Sequence, residues 1–480
     1  MDSSFLVSFR NTCGQHPERP ALIDAQGVLA FGEYGAQVFR LAAWLERHGL
    51  RPGDVVGISI ADERRHMLAS LALLRLGCPQ VNIASHDPPS ARQALVARCR
   101  IAAILADEGE RSDAAPLIAP DFEQATSALA AGDAAAPVPG DEAVASLFTG
   151  SGTTGTFKVI PISHRSTMLQ ARTRSMVSQT GVEYVPSPVE FLYPKKHRLR
   201  SAVTGYTSLL QAADHSEIPE ICGRFGVSLL RLSPAQAQSL IEVADRVPEG
   251  IAVYVGGSRI SGPMRAAFRN RQTPLLYVEY GATECGNIAV AGPDTHERYP
   301  DGVGKPLPGV DLRIVDDTGR ELPPDVEGLI RIRTPGMASG YLGDEELTAK
   351  MFRDGWFQGG DRGALTGDGV LVFGGRADDM MILNSINIFP SEIEKVAEGF
   401  PGVIECAAFP MRSPVHGDIP MLAVVGAEAC DLKALMSYCR ERLGIRAPRK
   451  VIGLPEIPRN AQGKVVRRDL SARASQGEFQ

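Results

Sequence analysis

The sequence predicts an α/β protein: a parallel sheet covered by helices, then a β-rich segment, then a compact α+β segment. Three observations support this fold class. Apolar strands alternate with helical patterns through the first half of the chain. Short strands separated by Gly and Pro turns occupy residues 302–373. A further helix is expected to begin at Pro390, with Ser391 as its cap.

The opening elements follow from spacing and from turn residues. Leu41, Ala42 and Leu45 recur at helical spacing, and the chain then leaves the helix near Gly49. A second helix is predicted over 67–76 and ends at Gly77. The strands predicted in this part of the chain are 55–60, 101–105 and 145–149.

Two later strands lead into glycine-containing turns. A strand over 251–255 precedes Gly256 and Gly257, and a strand over 275–278 precedes Tyr280 and Gly281. Open α/β sheets bind ligands at the carboxyl ends of their strands, so we expect both turns to border a ligand site. The other elements predicted nearby are helices over 218–225 and 235–243 and a strand over 227–232.

Bulk properties exclude several classes of function. The chain has 480 residues, enough for about three domains. Its net charge of −6 gives no electrostatic footprint for nucleic acid. The sequence has no apolar run long enough for a membrane span and no signal-peptide pattern at its start. Eight scattered cysteines without a C-x-x-C pair indicate reduced thiols in a cytoplasmic protein and disfavour a cysteine-held metal.

The segment 151–158, with the sequence SGTTGTFK, has the chemistry of a phosphate-binding loop. Gly152 and Gly155 let backbone N–H groups close around an anion, and Lys158 adds a positive charge. Hydroxyl donors come from Ser151, Thr153 and Thr154. The alternative is a flexible surface loop. The segment is not the G-x-x-x-x-G-K-[ST] loop, because no lysine directly follows Gly155.

Four more motifs follow in order along the chain: YGATE at 280–284, GWFQGGD at 355–361, GRADD at 375–379 with PSEIE at 390–394, and PRNAQGK at 458–464. Together with the loop they resemble the adenylate-forming superfamily. That superfamily contains acyl- and aryl-CoA synthetases, luciferases and the adenylation domains of peptide synthetases. The resemblance implies a large N-terminal domain of stacked α/β sheets over 1–377, including a β-rich subdomain over about 302–377. A small mobile α+β C-terminal domain would follow over 378–480.

The resemblance also implies roles for residues around the phosphates. Thr283 would donate to the α-phosphate of ATP, and Glu284 would hold Mg²⁺, a hard ion that prefers oxygen ligands. Tyr280 would offer its ring to adenine, the alternative being a buried aromatic residue. Gly281 would let the substrate approach the backbone. Gly257 would border the adenine and acyl pockets, although a plain turn is an equal alternative.

The remaining motifs would complete the ATP site. Asp361 and Arg376 would hold the ribose, the alternative for the aspartate being a turn residue. Lys464 would bridge the substrate carboxylate and the α-phosphate, the alternative being a solvated surface lysine. Asp378 would be the hinge about which the C-terminal domain rotates between an adenylating and a thioester-forming pose. Rotation would exclude water from the reactive anhydride.

The chain departs from the family pattern at several positions. Phe157 replaces the usual Pro, Val159 a Gly, and Gly359 a Thr. Ser385 stands where thioester-forming members usually have Gly, because pantetheine passes close to that backbone. Its hydroxymethyl group would narrow the tunnel, which puts the CoA step in doubt.

The segment 191–200 corresponds to the part of the family that lines the acyl pocket. His197 would line this pocket or gate the thioester tunnel, or else be a packed histidine. A cluster such as Lys195, Lys196, Arg198 and Arg200 usually forms a solvated face, and the sequence leaves its role here open. If one of these cations points inward, it would bind a second carboxylate or another polar substituent; at the surface the cluster would meet the CoA phosphates. The adenylation domains of peptide synthetases use an Asp in this region to hold the α-amino group of the substrate. Since no Asp occurs between Glu190 and Gly205, the resemblance disfavours an α-amino acid substrate.

The resulting hypothesis is an ATP- and Mg²⁺-dependent ligase that converts a carboxylic acid to an acyl adenylate and then to a CoA thioester. One alternative transfers the acyl group to the phosphopantetheine of an acyl carrier protein, and another to an amine or other small nucleophile. A remote alternative is a non-catalytic nucleotide-binding protein. The retained charged residues Lys158, Glu284, Asp361, Arg376 and Lys464 argue against it.

Overall fold

The structure is a computed structural model that describes residues 2–84, 88–107, 114–129, 132–150, 158–172, 180–243, 245–383, 386–413, 416–426, 430–460 and 464–478. The helices of these residues are α1 Ser4–Gln15, α2 Phe31–Arg47, α3 Glu63–Leu76, α4 Pro89–Cys99, α5 Phe122–Thr126, α6 His164–Ala171, α7 Leu192–Thr204, α8 Ile218–Arg224, α9 Pro234–Glu242, α10 Gly262–Arg271, α11 Pro293–Arg298, α12 Glu345–Met351, α13 Pro390–Glu398, α14 Leu432–Leu443 and α15 Arg467–Ser475.

The strands of the described residues are β1 Pro20–Asp24, β2 Gly27–Ala30, β3 Val56–Ser59, β4 Gln80–Asn82, β5 Ala103–Ala106, β6 Leu117–Ile118, β7 Val144–Gly150, β8 Lys158–Ser163, β9 Val182–Tyr184, β10 Thr207–Leu209, β11 Val227–Leu232, β12 Ala252–Val255, β13 Leu276–Ala282, β14 Gly286–Ala291, β15 Gly302–Pro306, β16 Asp311–Val315, β17 Gly328–Arg333, β18 Phe352–Arg353, β19 Trp356–Phe357, β20 Asp361–Leu365, β21 Leu371–Arg376, β22 Met381–Leu383, β23 Ile386–Ile388, β24 Val403–Ser413, β25 Gly417–Gly426 and β26 Lys450–Gly453.

These strands form three sheets. A six-stranded sheet has the order β6-β5-β3-β4-β7-β8, and a five-stranded sheet has the order β23-β22-β25-β24 with β26 beside β25. The largest sheet runs β18-β19-β17-β20-β21-β15-β14-β13-β12-β11-β9-β10-β1-β2, with β16 beside β17. Strand β15 pairs with both β14 and β21, so the β-rich segment continues the large sheet through backbone hydrogen bonds.

The predicted α/β class is confirmed, and the large sheet has a parallel core. Strands β9, β11, β12 and β13 are mutually parallel neighbours. They are short apolar strands buried on both faces, which is typical of parallel sheets between helix layers. Helix α3 is buried over most of its length because it packs between α2 and the first sheet. Its start is capped by Asp62, whose Oδ1 accepts from the Arg65 N–H at 2.8 Å.

Separate apolar cores hold the layers together. One packs α1, α2 and α3 against the six-stranded sheet, and a second lies between helices α8 to α10 and the large sheet. A third is confined to the C-terminal elements from Met381 onward. Each fully buried large side chain in such a core contributes about 1.5–3 kcal/mol. The three cores therefore give each layer its own source of stability.

One local prediction is wrong. Ser391 does not cap α13, whose flanking residue is Phe389 and whose start has no side-chain cap. The Ser391 hydroxyl instead donates to the Gly374 carbonyl on β21. That contact ties the first turn of α13 to the large sheet, because the hydroxyl faces a carbonyl from another domain rather than its own helix.

The described residues contain no helix that is long and apolar enough to cross a membrane. Within the same residues, no group of three or more His, Cys, Asp or Glu side chains is arranged to hold a metal ion. All eight cysteines are free thiols, and seven of them are buried.

Candidate active site

The motif at 280–284 forms a tight turn between two antiparallel strands. Strand β13 ends at Ala282 and β14 begins at Gly286, so Thr283 and Glu284 lie in the turn. Gly281 is required here, since a Cβ atom at this position would lie 2.5 Å from the Gly286 carbonyl oxygen. The close approach of the two strands therefore projects Glu284 from the end of the hairpin.

Glu284 and Lys158 both contact the side chain of Tyr341. The Tyr341 hydroxyl donates to Glu284 Oε1 at 2.7 Å. The Lys158 ammonium lies 5.4 Å from the centre of the same Tyr341 ring, a cation–π distance. Burial, and then the charge of Glu284, raise the pKa of Tyr341 far above its usual range, so the phenol stays protonated and donates. The lysine that follows the glycine-rich loop and the carboxylate of the hairpin thus share one site.

Glu284 fits the role predicted for it toward Mg²⁺. One carboxylate oxygen is fixed by Tyr341, and within the described residues no hydrogen bond engages the other. Mg²⁺ in phosphoryl-transfer sites is commonly held by one or two carboxylates together with substrate phosphates and water. A single oriented carboxylate suits that pattern without a preformed cage.

A second set of contacts joins Tyr280, Asp361 and Arg376. The Tyr280 hydroxyl donates to Asp361 Oδ2 at 2.7 Å, and Arg376 Nη1 donates to Asp361 Oδ1 at 3.1 Å. Asp361 and Arg376 are register partners on β20 and β21, which explains why two distant motifs meet. Tyr280 is only 9% exposed, and its ring packs against Phe373. Most of its surface is therefore buried, as in the alternative of a buried aromatic residue.

Arg376 also forms an ion pair with Asp378, the predicted hinge residue. Its Nε and Nη2 donate to the two oxygens of Asp378 at 2.7 and 3.0 Å, a bidentate pair. Burial raises the pKa of the Asp378 carboxyl, but Arg376 outweighs this effect and leaves the pKa below its usual value. The next residue, Asp379, pairs with Arg467 of α15 at 3.2 Å. The segment between the two domains is thus tied on both sides by ion pairs.

Lys464 is not brought to this cluster. It is exposed, and its backbone N–H donates to Asn460 Oδ1 at 2.9 Å. No ion pair or hydrogen bond joins its ammonium to Lys158, Glu284 or Asp361 in the part of the chain that the structure describes. Ser151, Gly152, Thr153, Thr154, Gly155 and Ser385 lie outside the described residues.

Gly257 follows β12 in a left-handed conformation with φ +98°, which favours glycine. Its neighbour Gly256 lies closest to the interior, since a Cβ there would be 3.2 Å from Glu279 Oε2 and from the Tyr193 ring. The turn therefore packs against Glu279, which belongs to the ion-pair cluster described below.

The basic cluster on α7 is not the solvated face that such a run usually forms; the alternative of inward-pointing cations describes it. Lys195, Arg198 and Arg200 are 1%, 4% and 7% exposed. Helix α7 packs against α1, α6 and β10, so most of its surface lies inside the protein. The arginines are accommodated because carboxylates from other elements reach them. For the same reason these three cations do not meet CoA phosphates at the surface.

Three carboxylates and three guanidiniums form a buried ion-pair cluster: Glu63, Glu183, Glu279, Arg198, Arg200 and Arg231. Arg198 pairs with Glu63, and Arg200 Nη1 lies 3.3 Å from Glu183 Oε1. Arg231 bridges Glu183 at 2.5 Å and Glu279 at 2.9 Å. Sequence reasoning missed this cluster. A signal was present, because single charged residues interrupt the apolar strands β9, β11 and β13.

His197 is packed beside this cluster. It is 2% exposed, and neither ring nitrogen has a hydrogen-bond partner among the described residues. Its Nε2 lies 4.0 Å from Glu279 Oε2, and its ring meets that of Tyr193 edge-on at 4.5 Å. Burial, and then the charges of Arg231 and Lys196, lower the pKa of His197 well below its usual value. The imidazole is therefore neutral, which matches the packed-histidine alternative.

Two family models together match most of the chain. The AMP-binding enzyme model covers residues 9–342, and the AMP-binding enzyme C-terminal domain model covers residues 392–464. The chain belongs to the AMP-binding enzyme family. This membership confirms the predicted superfamily and the predicted class of enzyme, an AMP-forming ligase.

Three proteins similar to this AMP-binding enzyme are named for different reactions. O-succinylbenzoate coenzyme A synthetase of Bacillus subtilis, solved with ATP and magnesium ion, is 25% identical with a TM-score of 0.85, over 96% of this chain and 98% of that one. Fatty acid–[acyl-carrier-protein] ligase MmaC of Mycobacterium marinum is 28% identical over 96% of each chain. Amide bond synthetase McbA of Marinactinospora thermotolerans is 25% identical with a TM-score of 0.85, over 98% and 99%.

Proposed function

We propose that this AMP-binding enzyme activates a carboxylic acid with ATP and Mg²⁺ and then forms a thioester with CoA. The observation that carries the proposal is the meeting of Lys158 with Glu284 over Tyr341, beside the linked set of Tyr280, Asp361 and Arg376. These groups come from four separate motifs. Their convergence at the ends of β8, β13 and β20 supports one nucleotide site.

In the first step, a carboxylate oxygen of the acid attacks the α-phosphorus of ATP, and the bond to pyrophosphate breaks. Two anions must approach each other, so fixed positive charge is needed near the α-phosphate. Lys158 supplies one such charge beside the glycine-rich loop. Glu284 would hold Mg²⁺, which neutralises phosphate charge when bound. Thr283, in the same turn, would donate to the α-phosphate.

The ribose would bind beside the Asp361–Arg376 pair. Both Asp361 oxygens already accept one hydrogen bond each, but a carboxylate has about four lone-pair sites, so it can accept ribose hydroxyls as well. Arg376 orients the carboxylate through its hydrogen bond to Oδ1. Gly257 and the Tyr280 ring edge would border the adenine.

Domain rotation about Asp378 would bring Lys464 to the reacting carboxylate. The exposed position of Lys464 supports a pose other than the adenylating one. The ion pairs Arg376–Asp378 and Arg467–Asp379 would rearrange during the rotation. We place the domain boundary at 377/378 on this basis.

In the second step, the thiol of CoA loses its proton and attacks the acyl carbon, and AMP leaves. The relative named as a coenzyme A synthetase favours CoA as acceptor. The relatives named for acyl-carrier-protein ligation and amide bond synthesis favour the second candidate, transfer to a carrier-protein phosphopantetheine or to an amine. Within that second candidate Ser385 favours the amine, because its hydroxymethyl group would narrow the path of any pantetheine arm.

ATP–pyrophosphate exchange across a panel of acids tests the first step. We expect exchange with at least one acid, whereas a non-catalytic nucleotide-binding protein would give none. Release of AMP in the presence of CoA, a phosphopantetheinylated carrier protein or a small amine then separates the acceptors. Activity with the amine alone would overturn CoA as the acceptor.

A further inference from the structure

The charges of the buried ion-pair cluster balance without the lysines of α7. Three carboxylates face three guanidiniums in the contacts described above. Lys195 and Lys196 are therefore extra cations in the protein interior. A buried charge without an opposite charge is costly, so each needs either another partner or a lowered pKa.

Lys195 is satisfied within the protein. It is 1% exposed and its ammonium donates to Asn82 Oδ1. Asn82 in turn donates to the Val189 and Glu190 carbonyls, which hold its oxygen toward the lysine. Burial lowers the pKa of Lys195 to about 7, so this residue can give up its charge.

Lys196 is placed differently. It is half-buried and lines a cavity, and its ammonium donates to Asn287 Oδ1 at 3.1 Å. Asn287 Nδ2 donates to Glu279 Oε1 at 2.9 Å, so the amide is oriented with its oxygen toward Lys196. Among the described residues no carboxylate lies within ion-pair distance of Lys196. The nearby charge of Glu279 raises the pKa of Lys196, but that carboxylate is paired directly with Arg231. The lysine thus has one neutral acceptor for three N–H donors.

The walls of this cavity supply no anion. Its lining residues are Phe148, Ile162, Thr167, Gln170, Ala171, Lys196 and Leu199. The polar neighbours are already bonded, since the Thr167 hydroxyl donates to the Ser163 carbonyl and Gln170 Nε2 to the Gly336 carbonyl. The cavity volume is only about 20 Å³, so it has room for the charged end of a ligand but not for a bulky apolar body. That end would meet apolar surface and the side chain of a single cationic residue, Lys196.

The cavity lies next to the hairpin that carries Glu284, since a Cβ atom at Gly286 would lie 2.8 Å from Gln170 in the cavity wall. Phe148 lies on β7, which leads into the phosphate loop, and Ile162 lies on β8, which begins with Lys158. Asn287, the partner of Lys196, is on β14 directly after the turn that carries Glu284. An acid whose carboxylate reacts at the α-phosphate could extend its other end into this space.

We propose that the substrate is an acid with an apolar body and a second anionic group, a carboxylate, which the ammonium of Lys196 binds. This inference rests on the proposed function and names its substrate class. Lys196 is then the specificity-determining residue, and Asn287 positions it. The pKa of Lys196, which burial lowers to about 8, leaves the ammonium charged at neutral pH and able to attract such a group.

The test compares matched acids in ATP–pyrophosphate exchange: hexanoate with adipate, octanoate with suberate, and benzoate with isophthalate. Wild-type enzyme should prefer the diacid of at least one pair in kcat/KM. Lys196→Met should lower the diacid-to-monoacid ratio by about 10- to 100-fold, the value of a hydrogen bond to a charged group. Lys196→Arg should keep the preference.

Lys195→Met is the matched control, since it removes the neighbouring buried ammonium, which does not line the cavity. Its diacid-to-monoacid ratio should equal that of wild type. The inference is overturned if wild type prefers monoacids in every pair, if Lys196→Met lowers both acids equally, or if Lys195→Met shifts the ratio as much. An equal loss would place Lys196 at the reacting carboxylate. No exchange with any acid would instead reject the proposed function, and the inference with it.

Discussion

Arg231 offers the sharpest test of how this protein tolerates charge in its interior. It lies on β11, is 2% exposed, and bridges Glu183 and Glu279. Arg231→Met keeps a similar apolar volume and removes the guanidinium. Two buried carboxylates then lose their shared counter-charge.

Removing one partner of a buried ion pair costs about 3–5 kcal/mol, because the other charge stays buried and uncompensated. Arg200 remains 3.3 Å from Glu183, and Asn287 still donates to Glu279. These contacts retain part of the compensation. We therefore expect a loss near the lower end of the range, about 3 kcal/mol of unfolding free energy.

The effect should depend on pH with a definite sign. In wild type, burial raises the pKa of Glu183, but Arg231 and then Arg200 outweigh it and depress the pKa below its usual value. Glu183 thus stabilises the folded state above the unfolded pKa of about 4.3, and this contribution is lost as pH falls through the depressed value. Without Arg231, the pKa of Glu183 is higher than in wild type, because burial raises it and, of the two arginines, only Arg200 remains to lower it. The variant therefore gains stability relative to wild type as Glu183 is protonated. The stability gap between wild type and variant should then narrow as pH falls from 8 to 5.

Urea unfolding followed by tryptophan fluorescence measures this loss. The two tryptophans, Trp44 on α2 and Trp356 on β19, both report on the large N-terminal part of the chain. Arg165→Met is the control, because its pair with Glu142 is exposed at 60% and 79% and should contribute no more than about 1 kcal/mol. Adding Glu183→Gln to Arg231→Met should restore part of the stability.

A loss of less than 1 kcal/mol for Arg231→Met would refute this account of the cluster. So would a gap that widens as pH falls. Either result would mean that other groups neutralise the charge of Glu183 and Glu279. The conclusion that Lys195 and Lys196 are extra cations would then be wrong.

Three further predictions concern catalysis. Lys464→Ala should abolish ATP–pyrophosphate exchange while leaving ATP binding, measured by calorimetry, largely intact; exchange near the wild-type rate would remove this lysine from the reaction. Ser385→Gly should leave exchange unchanged and speed CoA-dependent release of AMP, and an unaltered second step would mean that the hydroxymethyl group does not limit pantetheine. Tyr341→Phe removes the hydrogen bond to Glu284 and should lower exchange about 3- to 10-fold with a raised KM for Mg²⁺. Tyr299→Phe, which removes an exposed hydroxyl contact to Asp368, is its control and should change neither value.

The sequence by itself determined the order of most elements and the family, and it led to the prediction of which residues lie nearest the nucleotide. Apolar runs of the right length and the turn residues beside them located α3 and β11, because both signals come from residues close together in the chain. Motif chemistry singled out Lys158, Glu284 and Asp361, since glycine turns and isolated charges stand out from the apolar elements that carry them. These are local signals, and local signals survive without knowledge of the fold.

The tertiary structure alone decided what the charges of α7 mean. A run of four basic residues in thirteen helical positions is typical of a solvated face, yet Arg198 and Arg200 are buried. Their carboxylate partners Glu63 and Glu183 come from other elements, and no spacing along the chain predicts that meeting. Tertiary packing likewise turned Ser391 toward Gly374 instead of its own helix. Whether a charge is solvated, paired or free to bind a ligand depends on which distant groups share its surroundings, and only the folded chain sets those surroundings.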